Sequence, residues 1–173
     1  MSLVHNAFIR GINAVYLQCV NVDERGTVKD KMDFAWFARQ WSSFLNEHHN
    51  MEENFLFPEI NQLSGVADFM DASIEEHEAF HTGALAFDEY LQKVTAGEEP
   101  YDGKKLKSII DSFMQALETH LSNEIKTLSR LAEFDDKVNW PEWFEKRVGE
   151  HAKKLLASPE YKVNTFIQQC NRG

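Results

Sequence analysis

FAWFARQWSSFLNEHHNMEENFLFP, residues 34–58, sets Phe34, Phe37, Trp41, Phe44, Leu45 and Phe55 on one stripe together with two residues of different chemistry, His48 and Glu52. Recurrence at three and four predicts one face of an α-helix. A separation of four is nearly one helical turn, about 6 Å of rise, so His48 and Glu52 leave the same face one above the other. Two later stretches repeat the arrangement, His77 with His81 and His120 with Glu124. With seven His and 28 acidic residues in 173, about one or two such pairs arise by chance, so the count alone is weak. Position decides: each pair falls on the apolar stripe of its segment, where an unpaired polar group is costly.

Working outward, residues 3–20 place Phe8, Ile9, Ile12, Tyr16 and Cys19 at helical spacing, and His5 continues that stripe one turn earlier. Residues 21–30, polar and containing Gly26, read as a connection long for a bundle, an insertion or a flap. Phe57-Pro58 predicts a bend or an end to the second helix, with Gly65 as the break. A third helix is predicted over residues 66–96, through Met70, Ile74, His77, His81, Ala84, Leu85, Asp88 and Leu91. Gly97, Pro100 and Gly103 mark a loop, and Asp102 is a candidate N-cap for a fourth helix carrying Leu106, Ile110, Phe113, Leu117, His120, Leu121 and Glu124. After Phe134 come Trp140-Pro141-Glu142-Trp143-Phe144, a short helix to about residue 157, and another over 163–169, with Pro141 and Pro159 at first-turn positions.

Strand signals are absent. The chain reads as all-α, an up-and-down four-helix bundle over residues 1–134 with a C-terminal helical extension, 135–173, that caps the same domain because about 40 residues hardly support a core of their own. With 43% hydrophobic residues, 13 Phe and 4 Trp, one sizeable core is within reach without disulfides. A net charge of −10 offers no basic face to nucleic acid or anionic lipid. The two cysteines, Cys19 and Cys170, lie near opposite ends with no metal-ribbon spacing and read as free thiols in a reducing compartment. No signal-peptide pattern and no long apolar run occur, so a cytoplasmic protein is the expectation.

Facing stripes in such a bundle converge ligands on a common centre. His5, His48, His77, His81 and His120 with Glu52 and Glu124 supply five imidazoles and two carboxylates, enough for two transition-metal ions. Imidazole suits iron, and bridging carboxylates with an oxide or hydroxide reduce repulsion between neighbouring cations. The segments His5-Asn6, His48-His49-Asn50-Met51-Glu52-Glu53 leading to Phe57-Pro58, His77-Glu78-Ala79-Phe80-His81 and His120-Leu121-Ser122-Asn123-Glu124, in that order, resemble the hemerythrin-like, HHE cation-binding family. The resemblance implies a di-iron centre with one iron on His77, His81 and His120, the other on His5 and His48, Glu52 and Glu124 as bridges, and an open position for dioxygen or a similar small ligand. Oxygen-carrying members have an Asp five residues after the last His, whereas Glu124 follows His120 by four, which bears on reversible oxygen carriage more than on metal binding.

The function expected is oxygen binding, sensing or transport, with di-iron oxidase or peroxidase chemistry and iron storage or iron-responsive regulation as alternatives; the protein partner is open. His77-Glu78-Ala79-Phe80-His81 also spells HExxH, the zinc-protease helix, but that reading leaves the other His helices unexplained. A ferritin-like carboxylate site needs Glu-x-x-His on two helices, and only Glu78 with His81 has that spacing. His49 and Glu53, rotated about 100° from the ligand pair, are expected at the surface or just outside the ligands. Ile9, Trp41, Phe44, Phe55 and Leu117 are the expected walls, and His151 is expected to take no part.

Overall fold

A computed structural model describes residues 1–157, and the helix expected over 163–169, Pro159 and Cys170 lie outside them. The fold is all-α, with no strand among the described residues. α1 spans Ser2–Arg25 and buries Phe8, Ile12, Val15 and Cys19. The connection to α2 (Val28–Met51) is Gly26 and Thr27 alone, not the ten-residue insertion that polarity suggests. Residues 21–25 are polar because they form the outward face of a helix end. Thr27 then starts α2 with a reciprocal capping box: its hydroxyl accepts from the Asp30 amide at 3.2 Å, and Asp30 accepts from the Thr27 amide at 2.8 Å.

Pro58 neither ends nor sharply breaks the second helix. A π-helical turn, Glu52–Leu56, intervenes, and the Phe57 amide bonds back to the Glu52 carbonyl, so Pro58 falls in the first turn of α3 (Phe57–Ser64), where its missing donor costs little. Gly65, at φ 78°, closes α3 in the left-handed region that glycine adopts without a Cβ penalty. Residues 66–70 are turns rather than the start of the next helix. The Asn61 side chain holds them by donating to the Ala67 carbonyl at 2.7 Å and accepting from the Met70 amide at 3.0 Å.

α4 (Asp71–Ala96) ends at Gly97, and α5 (Gly103–Ser129) begins behind Asp102, whose carboxylate caps the Lys104 and Lys105 amides at 2.9 Å each, as its position predicts. α1 packs on α2 and α5, and α4 packs on the same two helices, closing a ring around Phe8, Ile12, Leu45, Phe87, Leu91, Ile110, Phe113 and Leu117. Phe37, Phe44, Phe55 and Leu85, expected on the inner stripes, are instead about half exposed. Ala35, Ala38, Trp41, Ser42 and Leu45 form the inner face of α2. Small residues there let neighbouring backbones approach.

A second apolar cluster joins Met51, Leu56, Phe57, Ile60, Phe69, Met70 and Leu131 to Trp140, with Trp143 and Phe144 against it. Through it α6 (Trp140–Ala157) packs across one end of the ring. Glu59 of α3 fastens α6 by accepting from Arg147 Nε at 2.8 Å and from Trp143 Nε1 at 3.1 Å, with Arg147 Nη2 2.7 Å from its other oxygen.

Gly103 sets the approach of α5 to α1: a Cβ there would lie 2.2 Å from the Cys19 carbonyl oxygen. Backbone has to move to admit a methyl, so Gly103→Ala is expected to destabilise the fold by about 1–3 kcal/mol despite alanine's higher helix propensity. Urea unfolding measures this, and an unchanged midpoint would show that the contact is not tight.

Candidate metal centre

Between the two apolar clusters the four ring helices turn polar at one level. On α1, His5 precedes Phe8; on α2, His48 and His49 lie between Leu45 and Met51; on α4, His77 lies between Met70 and Phe80; on α5, His120 and Glu124 lie between Leu117 and Leu128. The same three-and-four spacing that builds each core stripe therefore delivers these side chains inward. Glu52 joins them from the π-helical turn. His5, His48, His77, His120, Glu52 and Glu124 are each at most 5% exposed.

They form two overlapping groups. His49, Glu52, His77 and His120 bring one donor atom each within 4.8 Å of one another, and so do His5, His48, Glu52 and Glu124. Glu52 belongs to both. Its Oε1 stands 3.0 Å from His48 Nε2 and its Oε2 3.7 Å from His77 Nε2, while His5 Nε2 stands 2.9 Å from Glu124 Oε2. Closeness without alignment marks the cluster: His5 Nε2, His48 Nε2, His49 Nε2 and all four oxygens of Glu52 and Glu124 have no hydrogen-bond partner among the described residues. Buried polar atoms are rarely left so, and an aggregate of lone pairs pointed at shared space fits cations.

Of the sequence-derived set, six residues meet in these groups and His81 does not. The inward stripe of α4 runs Ser73, His77, Phe80, Ala84, Phe87, Leu91. His81 follows Phe80 by one residue, a rotation of about 100°, and is exposed to solvent. His49 stands in the buried group instead, its ring 4.2 Å from that of His77 and 5.5 Å from that of His120. The expectation that His49 sits at the surface or just outside the ligands is corrected, because His48 and His49 straddle the inner face of α2 as Trp41 and Ser42 do two turns earlier. A tandem His-His standing both three and four residues before one Glu was the signal for it. Glu124 lies in the second group alone, so the geometry links the groups through Glu52.

An outer layer orients the rings. His77 donates from Nδ1 to Glu53 Oε1 at 2.6 Å, and His5 from Nδ1 to the Leu121 carbonyl at 3.0 Å, which turns each Nε2 lone pair inward. Glu76, which no spacing pattern singles out, has Oε2 3.4 Å from His120 Nδ1, near it but without a hydrogen bond, while its Oε1 accepts from Asn123 at 2.7 Å. His77 Nε2 and His120 Nε2 then stand 3.1 Å apart. With His77 donating from Nδ1, its Nε2 offers a lone pair, so His120 Nε2 either donates to it or shares a cation with it.

The walls are Phe8, whose ring lies 5.0 Å from His48, Phe80, 5.1 Å from His49, and Phe57, 5.8 Å from His77. Of the expected walls, Trp41 and Leu117 are buried and Ile9 partly so; Phe44 and Phe55 face outward. Burial pushes the His48 pKa down to about 4 and that of His120 to about 3, and pushes His49 down too, so these imidazoles are neutral and offer lone pairs. Burial, reinforced by the neighbouring Glu124, raises the Glu52 carboxyl. Burial raises Glu124 as well, but contact with His5 and the nearness of His120 and His48 outweigh it and leave that carboxyl lowered. His151 pairs with Glu47 at 3.3 Å, outside the centre.

Loaded with ferrous iron, His49→Ala is expected to retain less metal than the wild type and His81→Ala as much, read by colorimetric iron analysis; the reverse would return His81 to the ligand set. The metal-free protein offers a separate check. His48, His49 and His120 have folded pKa values below their unfolded ones, so protons bind the unfolded chain better between pH 6.5 and about 4. Their stabilisation is present above pH 6.5 and is lost as the pH falls through that window, at about 1.4 kcal/mol for each tenfold difference in proton affinity between the folded and unfolded chain. The raised Glu52 acts oppositely, as one group against three. Thermal melts of metal-free protein should therefore fall from pH 7 to pH 4, and melts that rise would contradict the neutral-imidazole assignment.

The hemerythrin HHE cation-binding domain matches residues 1–132, a span that contains both groups of donors. The chain is 34% identical over 143 residues to dimeric xanthone biosynthesis cluster protein R11 of Cryptosporiopsis sp. (strain 8999). That match covers 81% of this chain and 53% of the relative, so the chain spans about half of the relative's length. No solved structure matches. Taken with the buried His and Glu donors, the match over most of its length shows that this chain belongs to the hemerythrin HHE cation-binding domain family.

Proposed function

We propose that this chain is a non-haem di-iron protein that binds dioxygen or a related small molecule, in an oxygen-binding, sensing or transport role. The observation that carries the reading is a pair of overlapping buried donor groups sharing Glu52. In this reading His49, His77 and His120 would hold one iron and His5, His48 and Glu124 the other, with Glu52 available to both. The iron pair, when bound, supplies redox-active centres with positions open to a small ligand. The protein's own part is positional and electrostatic. Glu53 and the Leu121 carbonyl fix which nitrogen of His77 and of His5 faces inward, while Phe8, Phe57 and Phe80 keep water out and strengthen every charge interaction inside.

The same reading takes the fold as an up-and-down four-helix bundle over residues 1–134, supported by the ring of helix contacts and the short connections, with 135–173 as a cap of the same domain. No helix among the described residues is long and apolar enough to cross a membrane, and the acidic balance disfavours nucleic acid as a partner. A cytoplasmic location accords with this reading. A second function, oxidase or peroxidase chemistry at the same centre, is favoured by the biosynthetic-cluster name of the relative. Iron storage or iron-responsive regulation would use the same ligands.

An optical titration tests the proposal. Protein reconstituted with ferrous iron under nitrogen should develop near-ultraviolet and visible bands when oxygen is admitted and lose them when it is removed. Bands that persist after oxygen removal would favour oxidase, peroxidase or iron-handling roles, and the absence of any bands would defeat the di-iron reading.

A further inference from the structure

A cleft of about 460 Å³ opens beside the centre, between the start of α1, the ends of α2 and α5, and α6. Val4, Met51, Ile125, Leu128 and Phe144 give it apolar walls, and His48 of the second donor group forms part of its lining. Its volume falls within the range of about 300–1,000 Å³ in which small-molecule pockets lie, and a mostly apolar wall with a few polar groups is their usual composition. α6 supplies one side of it through Phe144, Glu145 and Val148. The helix that follows the family-matched residues is thus what turns an end of the ring into a pocket.

We infer that this cleft binds a neutral aromatic organic molecule next to the metal centre. The inference rests on the di-iron reading for what lies beside the ligand, but the cleft itself does not. Phe144 offers a ring face and Met51 a polarisable thioether, both suited to aromatic partners. Ser2, Ser129 and Glu145 add polar atoms to the lining, which suit a hydroxyl-bearing ring. The lining carries both signs, the carboxylate of Glu145 and the amino terminus at Met1, so its charges offset and the apolar walls favour an occupant without net charge, since an anion would lose its hydration there. His48 is 5% exposed, and its Nε2 has no hydrogen-bond partner among the described residues while facing Glu52. One imidazole therefore belongs to both the donor group and the pocket, and an occupant of the cleft is in reach of that centre's surroundings.

The test uses 2-naphthol as the neutral aromatic probe and 2-naphthoate as its anionic counterpart, titrated calorimetrically into the protein of residues 1–173. Saturable one-to-one binding of 2-naphthol is expected, at least tenfold tighter than 2-naphthoate. Val148→Trp fills the cleft from a position 43% exposed, which leaves the core untouched. It should weaken 2-naphthol at least tenfold with the circular-dichroism melt and iron content unchanged. In iron-loaded wild type, 2-naphthol should also perturb the optical bands, and in Val148→Trp it should not. Undiminished binding by Val148→Trp, or equal binding of the two probes, overturns the assignment. Binding that appears only after Phe166→Ser with Ile167→Ser would make the chain's own C-terminal residues the occupant and overturn it too. Iron analysis separates the two readings: two irons without 2-naphthol binding defeats only the cleft, and 2-naphthol binding without iron defeats only the di-iron centre.

Discussion

The cost of holding charge away from water governs this molecule. Two carboxylates and five imidazoles occupy one dry layer of a helical ring, and most of their inward atoms have no hydrogen-bond partner among the described residues. Isolated, such groups would be among the most destabilising features a core can contain. Their retention in one layer, on four helices at once, is understandable only if they satisfy something in common. The aromatic walls, the outer carboxylates on His77 and His120, and the π-helical turn at Glu52 all serve that layer.

The architecture follows from the same requirement. One apolar cluster fills the ring on one side of the polar layer, and another, shared by α3, α6 and the turns before α4, lies on the other. Sandwiching the layer between two hydrophobic blocks lets the donors be buried without asking them to provide cohesion. It also explains why α6 is fastened to Glu59 by an arginine and a tryptophan rather than left as a loose tail.

Much of this was legible in the spacing of residues. Helical periodicity marked all four ring helices, and the coincidence of His5, His48, Glu52, His77, His120 and Glu124 with apolar stripes pointed at one centre. What spacing could not resolve was phase. His81 matches its neighbour's face on an ideal wheel, yet the buried stripe of α4 drifts through Phe80, Ala84 and Phe87 and leaves it outside. His49 sits one residue from His48 and is buried because the inner face of α2 is wide enough for two adjacent residues. Phe44 and Phe55 mislead for the complementary reason: large apolar residues do occur on surfaces, and hydrophobicity does not say which side is in. The π-helical turn has no propensity signal of its own beyond Pro58, and residues 21–25 look like a loop when only their polarity is counted.

Glu52 has a consequence for how such a centre fills. One oxygen faces His48 and the other His77, so a single carboxylate serves two donor groups that otherwise have no residue in common. Two sites that draw on one ligand are thermodynamically linked. Occupancy of either changes the affinity of the other, and by the same factor in both directions. In the di-iron reading, a first cation would fix the shared carboxylate and offset the cost of burying its charge; a second would meet a preoriented ligand but also a neighbouring positive charge. On that reading, the balance between these opposing effects would set whether the centre loads as a pair or passes through a half-filled state, making the order of assembly a property of one side chain.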